Sequence, residues 1–354
     1  MNRDPLATAP GAPGLRGDGS AAAPGRPAAL RTRLRRPLDL VSRGITGQLV
    51  ALAIVLAIFG IGTGGVSLSP RNLLVVLDLA GPPMIVCLGI HLVIVIGAMD
   101  LSVEGVMSFV AVTCGLLVRN AFNQNDIGLW VVPVAVLLGA AAGLAGGLLT
   151  TRARIPSFIA TLGLWWVTQG LSVIIGKGNA VPMLDTRFQA IASGRTWHVP
   201  NSILMAGGLL VVLWTLQQRT RFGRHMYAIG GDEALAQQAG VRVDRVKVLV
   251  FALTGAIYGF AALLVSAQLA TTNPRIGNGR LFPAMTAVAV GGVSLSGGVG
   301  GALNAVLGTL IVVALANGMV LMGLSPYVQT AVTGVVLILA VALTIDRRKI
   351  GVIK

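Results

Sequence analysis

The chain alternates long apolar runs with short polar breaks, and most runs have the length of a bilayer-crossing helix. They fall at about 46–64, 73–97, 103–120, 128–149, 156–175, 201–217, 246–269, 282–294, 299–321 and 327–345. A helix needs roughly 20 apolar residues to cross the hydrocarbon core. A soluble core would instead interrupt its apolar stretches with polar faces. The pattern predicts an all-α integral membrane protein, a polytopic bundle of about ten transmembrane helices. The eighth run is short, and Gly291 to Gly301 after it is so rich in glycine that a re-entrant or broken helix is expected there.

Composition adds orientation. Of 354 residues, 55% are hydrophobic and only 11% charged, with mean hydropathy +0.82, too little charge to dissolve a globular domain of this size. The net charge of +15 does not point to nucleic acid, because the basic residues sit at the ends of apolar runs. With the N-terminus inside, twenty of the 27 Lys and Arg fall on the inner segments. The remainder are Arg71, Arg119, Lys177, Arg187, Arg195, Arg275 and Arg280 on the outer ones. Both termini are therefore expected in the cytoplasm. Residues 1–44 read as a basic cytoplasmic tail, disordered through its Pro, Gly, Ala and Arg content. Its first apolar run begins too late for a cleaved signal peptide. Residues 45–346 form the transmembrane domain and 347–354 a second cytoplasmic tail.

Glycine is abundant, at 47 residues. Gly139, Gly143 and Gly147 make a double GxxxG ridge in the fourth run, and Gly255 with Gly259 repeats the spacing in the seventh. Small residues let helix backbones approach within lipid. Cys87 and Cys114 lie in apolar runs and read as small hydrophobes. The three histidines are scattered; no metal site and no cofactor is expected, and His91 reads as a hydrogen-bonded core residue.

No residues are expected to be catalytic. The phosphate-cradling G-x-x-x-x-G-K-[ST] loop is missing, and Gly60, Gly62 and Gly65 match G-x-G-x-x-G only by chance, without a preceding strand. Uphill transport would need a partner or an ion gradient. The inner segment 218–247 is the longest between runs. Within it Gly230-Gly231 supplies a flexible entry and Asp232 an N-cap, and Asp232 with Glu233 places charge where the helix dipole favours it. Helix formers continue through Ala236 to Ala239, and Gly240 is a C′ stop. Two turns are marginal alone in water, so the helix either docks on a partner or serves as a connecting turn.

This segment resembles the coupling loop of the ribose/xylose-type permease family of bacterial ATP-binding-cassette (ABC) importers. Thr220 to Arg224, Tyr227 to Gly231 and Gly240 carry the likeness. Asp100-Leu101-Ser102-Val103, Ile155-Pro156-Ser157-Phe158 with Thr161-Leu162-Gly163, Gly291 to Leu295 with Gly297-Gly298, and Asn317-Gly318 with Ser325-Pro326 resemble further family motifs in order, over about residues 70 to 346. Glu104, Gln169 and Val299 depart from the family pattern and blur the substrate. The resemblance implies a homodimeric permease with an antiparallel internal repeat relating spans 2–5 to spans 7–10. It also implies separate ATPase subunits and an external solute-binding protein, together importing a sugar-like solute across the inner membrane.

Three acids keep two readings each. Asp100 and Glu104 are four apart and would share a helix face, ordering an inner turn near the partner or lying there as solvated charges. Asp78 lies within a span, four residues before Pro82, and is either a kinked pathway site or an interfacial charge. Asn317 is the other candidate pathway residue. The rival functional class is an ion-coupled secondary transporter acting alone, with a passive channel third.

Overall fold

The computed structural model describes residues 37–344, with side chains described over 45–342. The expectations for the tails, up to residue 36 and from 347 on, lie outside the described residues, while residues 37–44, expected as part of the disordered tail, are the first turns of a helix. Ten apolar helices carry the ten apolar runs: α1 (Pro37–Gly62), α2 (Pro70–Val95), α3 (Val103–Leu117), α4 (Val131–Thr151), α5 (Ser157–Gly176), α7 (Asn201–Arg219), α10 (Val243–Leu269), α11 (Leu281–Val290), α12 (Ala302–Leu321) and α13 (Pro326–Thr344). Between them lie α6 (Thr186–Ser193), α8 (Arg221–Gly231) and α9 (Glu233–Gln238). Seven have the length and composition to cross a membrane; α3, α11 and α13 are shorter apolar helices. The protein is an all-α polytopic membrane protein.

From Val41 onward the described residues pack as one unit, with α2 and α10 the most buried of the seven long apolar helices. The α4 ridge and the α10 glycines prove to be each other's partners. A Cβ on Gly139 would meet the Gly255 carbonyl, and one on Gly143 would meet the Phe251 carbonyl. Only glycine permits this backbone approach, which gains dispersion contacts in place of a hydrophobic drive.

α2 begins at Ser69, whose hydroxyl accepts from the Asn72 N–H, with Pro70 at the first helical position. Pro82 and Pro83 lie inside it. Proline removes the donor that the carbonyl four residues back would use, and the Asp78 carbonyl accepts instead from Gln268 Nε2 on α10 at 3.3 Å. The kink site thus keeps its hydrogen bond.

α11 is only ten residues long and ends at Gly291, followed by Gly292 at φ +79°. The broken helix expected from the glycine run is present, because four glycines of the loop to α12 adopt positive φ. Backbone and side-chain bonds hold this loop. Gly298 N–H donates to Val95 O at 2.9 Å, Tyr227 hydroxyl to Gly300 O at 2.7 Å, and Asn304 and Gln48 amides both to Gly291 O.

At the other end of the bundle, α6 is capped by Asp185, which accepts from the Arg187 and Phe188 N–H groups. Arg187 bridges Asp126 at 2.6 Å and Asp185 at 3.3 Å. Burial pushes the Asp185 carboxyl up, but the hydrogen bonds from Arg187 and the two backbone N–H groups outweigh it and hold the group below its ordinary range. Two short antiparallel ladders complete this end, β1 (Val181–Pro182) with β4 (Thr271–Thr272) and β2 (Arg195–Thr196) with β3 (Val199–Pro200).

Candidate functional site

A cavity of about 330 Å³ opens between α2, α11 and α12, with Pro83, Cys87, Arg280, Ala284, Thr309 and Asn317 in its wall. Its polar groups are mostly committed. Thr309 hydroxyl donates to Ala305 O within its own helix at 2.8 Å, and Cys87 thiol to Ala284 O at 3.7 Å. Asn317 Oδ1 accepts from Asn72 Nδ2 at 2.9 Å, and the same Asn72 amide reaches Ser67 O at 2.8 Å. That fixes the Asn317 amide with its NH₂ free.

Arg280 precedes the first turn of α11. Its Nε donates to Ile276 O at 3.1 Å, and its terminal guanidinium nitrogens make no hydrogen bond or ion pair with the described residues. Glu104 is its electrostatic neighbour, yet the Glu104 carboxylate is held elsewhere: Oε1 accepts from the Leu281 N–H at 3.0 Å. A carboxylate there meets the positive end of the α11 dipole and an orphan N–H of its first turn. Gly277 packs directly on the Glu104 backbone. The outer-loop arginine of the charge tally is therefore a half-buried cavity residue.

The acids of the sequence motif separate. Asp100 lies before α3, where Oδ1 accepts from Ser102 N–H at 2.8 Å and Ser102 hydroxyl at 2.6 Å. Glu104 is in the first turn of α3 and points to α11. They do not share a helix face, because the helix starts only at Val103. Both are buried, so neither is a solvated loop charge. Leu101 N–H donates to Thr161 on α5 at 3.0 Å, and Leu101 faces Leu295 across a small void. Asp78 is half-buried beside the cavity-lining Leu79, and of this pair of candidates only Asn317 lines the cavity.

At the α9 end, Thr220 caps α8, accepting from the Gly223 N–H at 3.1 Å. The Gly230–Gly231 pair, expected as a flexible entry, is instead the last turn of α8. Gly230 presses on Val95 and Gly298, leaving no room for a side chain. Tyr227, half-buried, has its phenol pushed up to about 12 by desolvation and stays a donor to Gly300. Asp232 caps α9 through the Leu235 N–H at 3.0 Å, and Gly240 follows at φ +84°. Glu233 pairs with Lys247 at 2.7 Å. Ala236 is buried against this chain's own core, so it is not free to enter a partner's groove. Ala239 is exposed, and Leu235, which the sequence did not single out, is 61% exposed.

Gln217 joins the two regions. Its Nε2 lies 3.0 Å from His91 Nε2 in the core of α2, and its Oε1 accepts from Ala302 N–H at the start of α12. His91 is the buried, hydrogen-bonded residue expected. Arg280, Gln217 and Gln268 were not identified as site residues from sequence. Each is one polar residue beside an apolar run, and its partner is distant along the chain.

A membrane bundle with a donor-lined cavity, joined through a glycine loop to a short capped surface helix, has the form of a multi-pass transport component. The chain belongs to the family described as branched-chain amino acid transport system / permease component, which matches residues 72–341. It is 32% identical over 311 residues to the ribose import permease protein of Escherichia coli (strain K12), covering 85% of this chain and 93% of the relative. It is 34% identical over 290 residues to that of Bacillus subtilis (strain 168), covering 80% and 86%. The L-arabinose ABC transporter permease protein of Azospirillum brasilense is 32% identical over 284 residues, covering 79% and 82%. No solved structure matches the chain.

Proposed function

We propose that the chain is the membrane-spanning permease subunit of an ABC importer that carries a sugar-like solute into the cytoplasm by alternating access. The relatives named for ribose and arabinose support the solute class. They do not favour the ion-coupled alternative. The observation that carries the coupling is the α8–α9 module. A two-turn helix, capped at both ends, presents Leu235 and Ala239 on its surface and is tied through Gly230 to α2 and the α11–α12 loop.

In this reading ATP is hydrolysed on separate subunits that dock on α9, within the coupling loop 218–247, and both termini are cytoplasmic. A solute-binding protein delivers at the α6 end, and two copies of the chain make the pathway. Residues 45–346 are the permease domain, with ten crossings and an antiparallel repeat of α2–α5 with α10–α13. The packing supports that repeat: α2 lies on α12 as α10 lies on α4, and α3 on α5 as α11 on α13. Asn317, with Asp78 adjoining, belongs to the pathway.

The test is co-purification with the cognate ATPase and ATP-driven uptake in vesicles. Leu235→Arg should insert and melt as wild type yet lose the ATPase and at least tenfold of uptake. Ala236→Arg should instead destabilise the permease, since an unpaired buried charge costs several kcal/mol. Uptake by this protein alone on a proton or sodium gradient, without ATP, would end the assignment.

A further inference from the structure

The free donors of the cavity wall belong to Arg280 and Asn317, and only one of the two is charged. Arg280 contributes its unpaired terminal nitrogens, Asn317 its free NH₂, and the Thr309 hydroxyl and Cys87 thiol spend their protons on their neighbours' carbonyls. The remaining wall is largely alkyl, from residues such as Pro83, Ala284 and Val313. The Thr309 oxygen and the Cys87 sulfur can then only accept, and a neutral sugar could use them, but it would leave the guanidinium charge without a counter-ion in an apolar wall, which is costly. A carboxylate needs donors only, and a guanidinium fork meets it with two parallel bonds. Resting on the permease reading above, we infer that this cavity binds a solute of sugar size bearing a carboxylate, in the class of aldonates, uronates and hydroxy acids, with Arg280 as the residue that selects for it.

Two observations make Arg280 available for this role. Glu104, the one acid near it, is engaged by the Leu281 N–H and does not form an ion pair with the guanidinium. The carboxylate therefore balances part of the charge while the donors stay open. Depth argues against a lipid headgroup. The α2 part of the wall runs from Leu79 to Cys87, about 14 to 26 Å along the helix from Pro70 at 1.5 Å per residue. Headgroup phosphates lie at the surface of a hydrocarbon core about 30 Å thick. An arginine in the wall of a cavity that reaches this depth reads as a functional-site residue.

The experiment is saturation-transfer NMR on the full-length permease in lipid nanodiscs, with D-gluconate and D-ribose as probes. D-gluconate should receive saturation, and D-ribose should compete at least tenfold more weakly. Arg280→Gln should weaken gluconate at least tenfold, while Arg280→Lys keeps part of the binding. Should Arg280→Gln fail to fold, Asn317→Leu, which removes the other free donor, is the second variant and should also weaken gluconate. Ribose binding as well as gluconate, no binding of either, or gluconate binding indifferent to Arg280 would each overturn the inference. So would a phospholipid retained in native mass spectra of the wild type and lost in Arg280→Gln. ATP-driven uptake with the ATPase is measured separately, so the permease reading can stand while the carboxylate inference falls.

Discussion

Two helix pairs at the centre of the bundle solve the same packing problem in opposite ways. α10 meets α4 backbone to backbone, with Gly139, Gly143, Gly255 and Gly259 at the contact. α2 meets α12 across side chains, with α11 beside them, and the contact leaves the 330 Å³ cavity. The reason is local. On α4 and α10 the small residues recur every four positions and form matching grooves. On α2 the paired prolines Pro82 and Pro83 lie inside the helix, and on α12 Gly318 is filled by the Phe59 ring of α1. A sealed seam gives a rigid reference, and the open face gives a volume that a solute can enter.

Enlarging side chains on the two faces should have opposite signs. Gly143→Leu drives a side chain into the Phe251 backbone, which cannot yield, and should cost about 3 kcal/mol. It should be read as a large fall in melting temperature and in the yield of monodisperse protein. Ala316→Leu on the cavity wall has space to fill and should leave stability unchanged or raise it by about 0.5–2 kcal/mol, while ATP-driven uptake drops. Equal melting temperatures for the two variants would show that the seam is not the stiffer face.

Gln268→Leu tests how the proline kink is held on the open side. Losing the amide leaves the Asp78 carbonyl unpaired beside Pro82, at a cost of about 1 kcal/mol, and should raise the hydrogen-exchange rate of α2 more than that of α4. The smallest effect belongs to α6, which packs on α10 at the sealed side. The Asp185 carboxyl titrates below its unfolded value of about 3.9. Its contribution is thus complete above that value and lost as pH falls through the lower folded one. Amide protection of α6 should be the same at pH 7 and pH 5 and decline only slightly below about pH 4, because a pair with so exposed an arginine is weak.

The apolar runs were legible because lipid imposes one rule on every residue of a span, and each run carries a helix. α9 was legible too, since Asp232 and Gly240 are caps that work within a few residues. The adjoining α8 was not, because Gly230 and Gly231 read as a break unless Val95 and Gly298 are known to press on them. Asp100 and Glu104 were assigned one face from their spacing, whereas the helix begins between them. The cavity was least legible of all. Glu104 and Leu281 lie far apart in the chain, and Arg280 read as a loop charge because nothing local marks the cavity it lines. Contacts within a turn write themselves into sequence. Contacts across the bundle leave only a single polar letter.

The glycine seam also sets a schedule. Gly143 cannot find its partner until Gly255 has been made, roughly 110 residues later, and synthesis at about 5–20 residues per second places these events on the order of ten seconds apart. Through that interval α4 sits in the bilayer with a bare backbone groove, open to lipid or to any other helix bearing small residues. Slower elongation between α4 and α10 would lengthen the exposure. Newly made permease would then be at greatest risk of mispairing well before its C-terminal helices exist.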